Sequence, residues 1–153
     1  MSRTAPRLAA MAAAATALLS LTGAAQPQRE IGTSIEVRFE NLRSNRGTLR
    51  FCLNRNPDHY PDCSGDRNAR QVSVPASSGS YVFDNVPVGT FVITAMHDEN
   101  GDGELNTFLG IPREGFAFSN NPGIGFGAPS YNRVRFTIGP DRALVRLRFR
   151  YIG

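Results

Sequence analysis

RVRFTIGPDRALVRLRFRY, residues 133–151, alternates apolar and charged side chains twice, with a turn between the two runs. Val134, Phe136 and Ile138 fall on one face, with Arg133, Arg135 and Thr137 on the other. Val145, Leu147, Phe149 and Tyr151 then alternate with Arg146, Arg148 and Arg150. Successive side chains of an extended backbone point to opposite faces, so a period of two marks a half-buried strand. Gly139, Pro140 and Asp141 are turn formers. If the two runs close as a hairpin, Arg133, Arg135, Arg146, Arg148 and Arg150 share one face, where like charges repel unless acids interleave.

The same period recurs at the other end of the chain. Ile35, Val37 and Phe39 alternate with Glu36, Arg38 and Glu40, so the first strand can supply those acids if it lies beside the last. An internally paired, solvated face is expected, and a patch for phosphate or lipopolysaccharide is the alternative. After a turn at Ser44 to Gly47, Leu49, Phe51 and Leu53 alternate with Arg50 and Cys52, which sets Cys52 on the face away from the core. Further strands are expected at Gln71–Val74 and Tyr81–Val86. The run Phe91–Met96 is apolar at nearly every position, as a central strand covered on both faces would be. About seven strands with regular turn signals and no amphipathic helix predict an all-β fold, an antiparallel sandwich of immunoglobulin-like or transthyretin-like kind with one long irregular loop.

Residues 1–25 read as a secretory signal. Arg3 and Arg7 make a basic start, Leu8 to Leu21 an alanine- and leucine-rich run, and Gly23, Ala24 and Ala25 a cleavage site. An uncleaved anchor is the alternative, but the run is short for a bilayer and no later stretch is long enough. The expected organisation is a signal at 1–25, a linker at 26–32 and a single domain at 33–153, placed in the periplasm or outside the cell. Cys52 and Cys63 would then meet an oxidising compartment, and a disulfide between them would staple the loop LNRNPDHYPD. Zinc held by those cysteines with His59 and His97 is the competing reading, at a spacing that matches no common pattern. All 17 basic residues are arginine, and loss of Arg3 and Arg7 takes the formal charge from +4 to +2. So small a balance gives no reason to expect nucleic acid as a partner. With 41% hydrophobic residues the chain has material for one modest core.

Specific chemistry is expected in HDENGDGELNTFLGIPREGFAFSNN, residues 97–121, which lacks a readable strand or helix yet carries too many apolar groups to stay exposed. Phe108, Leu109, Ile111, Phe116, Phe118, Ile124 and Phe126 are expected to fold down as a cap over one end of the sandwich. Asp98, Asn100 and Asp102 recur at every second position before Gly103, which is the first half of a calcium loop. A hard cation takes six to eight oxygens, and a backbone curled at glycine brings alternate side chains onto one centre. Asp98, Asn100 and Asp102 would give side-chain oxygens, Glu104 its carbonyl, and Asn106 a side-chain or water-mediated contact. Leu109 stands where a helix-loop-helix site has its bidentate glutamate, so Glu114 must close the sphere or the site is open and weak. Asn100-Gly101 and Asp102-Gly103 are also favoured turn dipeptides, and two successive turns need no metal.

Two other classes compete. His97, with Glu99, Glu104 and Glu114 nearby, offers general acids and bases for a hydrolase, without a nucleophile motif. Phe108, Phe116, Phe118 and Phe126 with Asn120 and Asn121 could form a shallow surface for a glycan or another cell-envelope ligand in an adhesion or carbohydrate-binding module, although Phe lacks the polar handle of Tyr and Trp.

The run at 97–121, with FENLRSNRGTLRFCL at 39–53 and VPVGTFVITAMHD at 86–98, resembles a family of small exported bacterial proteins known only as a domain of unknown function. The resemblance runs from about Ser34 to Arg150. It implies export and a β-sandwich, and carries no activity. Members often have Asp in place of Asn106 and Gly in place of Ala117, and the first difference removes a charged ligand from the calcium set. VPVGTFVITAMHD also resembles the turn-to-strand signature of transthyretin-like and collagen-adhesin B-type repeats, a likeness of fold. The expectation is an exported, non-enzymatic binding or structural module with a calcium-type loop at 98–106.

Overall fold

The computed structural model describes residues 32–108 and 110–152. The expected signal and most of the linker lie outside them, as does Leu109. The described residues form β1 (Thr33–Glu40), β2 (Thr48–Asn54), β3 (Arg70–Pro75), β4 (Ser80–Val86), β5 (Gly89–Asp98), β6 (Thr107–Phe108), β7 (Ile111–Pro112), β8 (Gly115–Phe118), β9 (Phe136–Ile138) and β10 (Ala143–Arg148). One helical turn, α1 (Tyr131–Val134), precedes β9.

A three-stranded sheet of order β10-β1-β4 faces a five-stranded one of order β3-β2-β5-β8, with β9 on the first residues of β5. The core between them comes from the alternating faces: Ile35 and Val37 of β1, Phe83 of β4, and Val145 and Leu147 of β10 meet Leu49, Phe51 and Leu53 of β2 and Phe91, Ile93 and Ala95 of β5. Phe39 and Phe51 stack across the gap at 5.0 Å between ring centroids. This is the β-sandwich that the alternation predicts, and β5 is the central strand, with β2 along one side and β8 and β9 on successive parts of it.

Three features depart from expectation. The runs at 133–138 and 143–151 do not close as a hairpin: β9 joins β5 and β10 joins β1, in different sheets. Next, β10 runs parallel to β1, in register from Ile35↔Ala143 to Glu40↔Arg148, within an otherwise antiparallel fold. Finally, the supposed irregular loop contains a true strand. Thr94, Ala95, Met96 and His97 of β5 pair with Phe118, Ala117, Phe116 and Gly115 of β8. Phe116 is thereby buried and Phe118 half-buried, whereas Ile111 is 48% exposed and Phe126 fully so, so these residues do not act together as a cap.

The acids of β1 do pair with the arginines of β10. Glu36 binds Arg38 at 2.7 Å and Arg142 at 2.9 Å, while Glu40 binds Arg146 at 3.2 Å and Arg148 at 3.6 Å. The hydrogen bond from Arg38 is the main cause that holds the Glu36 carboxyl below its usual range. Cys52 and Cys63 form the expected disulfide, with Cα atoms 6.2 Å apart, which removes the cysteines from any zinc site.

Candidate functional site

The end of β5 delivers two side chains of opposite character. His97 has the parity of Phe91, Ile93 and Ala95, so it points into the end of the core and is fully buried. Its Nε2 lies 2.7 Å from the Arg46 carbonyl, which can only accept, so Nε2 carries the proton. Nδ1 therefore accepts from the Tyr151 hydroxyl at 2.7 Å, and that oxygen in turn accepts the Arg43 amide at 3.2 Å. Both ring nitrogens are thus committed to the protein. The closeness of this packing is set by Gly115, where a Cβ would run into the Tyr151 ring.

Asp98 has the opposite parity, yet it is also fully buried because the chain folds back over it. Its Oδ1 accepts the Gly101 amide at 2.6 Å. Its Oδ2 accepts the Gly103 amide at 3.0 Å and Arg50 Nε at 2.9 Å. Gly101 and Gly103 have φ of 82° and 83°, values that glycine adopts without steric cost. Arg50 comes from the polar face of β2, and its guanidinium lies where it would touch a Cβ on Gly103 at 3.2 Å. One cation of the chain's own therefore sits against the first acid of the loop.

The other acids behave alike. Glu114 is buried, and its two oxygens accept the amides of Glu99 at 3.3 Å and Asn106 at 3.2 Å. Glu99 binds Ser44 Oγ at 2.6 Å and Arg43, whose Nε is at 2.8 Å and whose Nη2 reaches the same oxygen. The Arg43 hydrogen bond is the main cause that lowers its carboxyl below the ordinary range. Asp102 is exposed. Its Oδ2 receives the carboxamides of Asn106 at 2.6 Å and Asn100 at 2.8 Å, and its Oδ1 the Glu104 amide at 2.9 Å. Chiefly the Asn106 contact lowers its pKa. Glu104 itself is exposed, with its carbonyl 3.5 Å from the Asn106 carboxamide nitrogen.

The structure thus separates the expected calcium ligands into two groups. Asn100, Asp102, Asn106 and the Glu104 carbonyl converge at the loop surface, while Asp98 and Glu114 face inward onto backbone amides. Among the described residues no three His, Cys, Asp or Glu side chains cluster as a metal site would need. Two participants were hidden from sequence reasoning as partners. Tyr151 could have been found from its place on the apolar face of the last run, and Arg50 from its place on the polar face of the second strand. The glycan-surface residues are also engaged elsewhere. Asn120 donates to the Arg135 carbonyl at 2.8 Å, while Asn121 donates to the Arg146 carbonyl and accepts the Arg148 amide, both at 2.8 Å.

Fold and site together define a small two-sheet β protein in which an acidic, glycine-punctuated loop after β5 is closed by its own hydrogen bonds. The family model described as "Uncharacterized protein conserved in bacteria (DUF2141)" matches residues 37–145, and the chain belongs to that family. No curated protein and no solved structure matches it. Among the described residues no helix is long and apolar enough to cross a membrane.

Proposed function

We propose that the protein is an exported, non-catalytic β-sandwich module that serves a binding or structural role. The observation that carries the reading is the commitment of the loop's buried acid and base groups. Both nitrogens of His97 and both oxygens of Glu114 are tied to the protein's own groups, so neither is free to move a proton on a substrate. Export is supported by the basic start and apolar run of residues 1–25 and by the Cys52–Cys63 disulfide, which persists in an oxidising compartment. Hydrolysis of glycosidic or ester substrates by the purified protein, abolished by His97→Gln or Glu114→Gln in variants that still fold, would overturn the non-catalytic reading.

A second reading is favoured by the convergence on Asp102 Oδ2. Carboxamide ends are assigned from hydrogen bonding: Asn100 Oδ1 is held by the Asp102 amide at 3.1 Å, but turning the Asn106 carboxamide would set a neutral oxygen beside one charged oxygen and the Glu104 carbonyl. That set suits a weak calcium site in the millimolar range of extracellular modules. Arg50 opposes it, since its charge already lowers the Asp102 pKa from nearby. Melting in millimolar calcium and in chelator separates the cases. Calcium at about a hundred times its Kd adds about 2.7 kcal/mol, whereas a self-closed loop gives superposed curves.

A further inference from the structure

At the end of the sandwich away from the acidic loop, the last residues of β2, the β2–β3 connection, the first residue of β3 and the β4–β5 turn line an open cavity of about 360 Å³. That volume lies within the range of small-ligand sites. Its floor is apolar, made by the buried side chains of Leu53, Val86 and Phe91. Its rim carries Asp66, Arg55 and Arg70.

Asp66 is anomalous. Its Oδ1 accepts the Asn68 amide at 2.8 Å, but its Oδ2 is the one buried side-chain oxygen or nitrogen among the described residues that lacks a partner. Buried carboxylate oxygens are costly to leave unsatisfied, and Asp66 is part of the cavity's lining. Arg55 and Arg70 stand at the rim without an ion pair among the described residues, as do Arg46, Arg67, Arg133, Arg135 and Arg150 elsewhere. Arg55 lies over the Phe91 ring at 5.2 Å, a contact that orients the guanidinium plane while its N–H groups stay available. Arg70 is fixed by the Asp84 carbonyl at 2.6 Å and the Phe83 ring at 5.5 Å. The wall is held in place, since the Asp66 amide donates to the carbonyl of disulfide-bonded Cys63 at 3.2 Å.

We propose that this cavity binds a small carboxylate that also carries an N–H or O–H donor and an apolar face. The ligand carboxylate meets the Arg55 guanidinium with Arg70 alongside, the donor completes Asp66 Oδ2, and the apolar part covers Leu53, Val86 and Phe91. A free amino acid and a sugar acid both have this chemistry. The site is remote from residues 97–114 and stands whether or not that loop binds calcium.

The test is an NMR titration of the ¹⁵N-labelled full chain with leucine, glucuronate, acetate and glucose. Leucine or glucuronate is expected to shift the Asn68 and Phe91 amides saturably. Acetate and glucose, which hold half of the chemistry each, should bind at least about tenfold more weakly. Arg55 is exposed, so Arg55→Ala should fold and weaken binding about tenfold or more. Asp66→Asn keeps the acceptor for Asn68. It should weaken leucine, whose ammonium needs the charge, more than glucuronate, whose hydroxyl does not, and so tells the two sources apart. No saturable shift from leucine or glucuronate, shifts centred elsewhere, binding that survives Arg55→Ala, or acetate binding equally well would each overturn the proposal.

Discussion

Replacing Asp98 with alanine tests whether the acidic loop is organised by the chain itself. The ionised carboxylate accepts two backbone amides and one guanidinium N–H while fully buried. Hydrogen bonds to a charged acceptor contribute about 1.5–3 kcal/mol each. The half-exposed Arg50 pair adds no more than about 1 kcal/mol. Alanine leaves the Gly101 amide open to water but strands that of Gly103, which is half-buried, so part of the loss is recovered at the first position. The expected cost is about 3–4 kcal/mol, against about 1 kcal/mol for Asp102→Ala at the exposed turn. Urea unfolding followed by circular dichroism, with chelator present throughout, measures both. In a domain of this size the first change corresponds to a fall in Tm of roughly 10–15 °C. If Asp98→Ala in chelator lies within about 1 kcal/mol of the parent, the carboxylate does not organise the loop.

Four further outcomes are expected. Cys52 and Cys63 are 11 residues apart, so Cys52→Ser with Cys63→Ser should cost about 3 kcal/mol in urea unfolding on the chain-entropy model. Burial pushes the Tyr60 hydroxyl up to about 12, from an ordinary 10.0. An unfolded chain therefore releases a proton that the folded one keeps, and stability should fall as pH rises from 10 toward 12, less steeply in Tyr60→Phe. Glu99 and Asp102 have lowered pKa values, so their contribution is present above the ordinary values of 4.5 and 3.8 and is lost as pH falls through the folded ones, which acid titration of the melting point would detect. Gly47 has φ of 73°, and a Cβ there would collide with the Asp98 carbonyl, so Gly47→Ala should destabilise by at least about 1 kcal/mol in the same urea assay.

The strands legible by alternation are those with one wet face, whereas β5, covered on both, is legible from its unbroken apolar run. Ile35 to Glu40 and Val145 to Arg148 announce themselves because water on one side imposes alternation. β8 gives no such signal: Gly115, Phe116 and Ala117 are all buried, so nothing alternates across Gly115–Phe118. The parallel pairing of β1 with β10 is equally silent, since alternation reports which face is wet and not which way a neighbour runs. The interleaving of Glu36 and Glu40 with the arginines was readable because charge must balance wherever strands adjoin. The motif at 98–102 was ambiguous for a deeper reason. Acceptors at alternate positions around glycines serve a cation and a run of backbone amides equally well, and the same letters specify both. What tips the balance toward amides at Asp98 is Arg50, a residue 48 positions away in sequence, and no local motif carries that contact.

The two ends of the sandwich differ in how completely the chain satisfies itself. Around β5's last residues, His97, Asp98, Glu99 and Glu114 are matched to donors and acceptors within the fold, so a ligand arriving there would have to displace internal bonds before making its own. Around β5's first residues the opposite holds. Among the described residues Asp66 Oδ2 lacks a donor and Arg55 lacks an acid, and an apolar floor lies between them. Binding free energy is the surplus over what the free protein already has, so it is greatest where polar groups are fixed in place but unfulfilled. The acidic loop dominates the sequence by composition, yet its groups close one end of the fold, and the proposed recognition falls at the other.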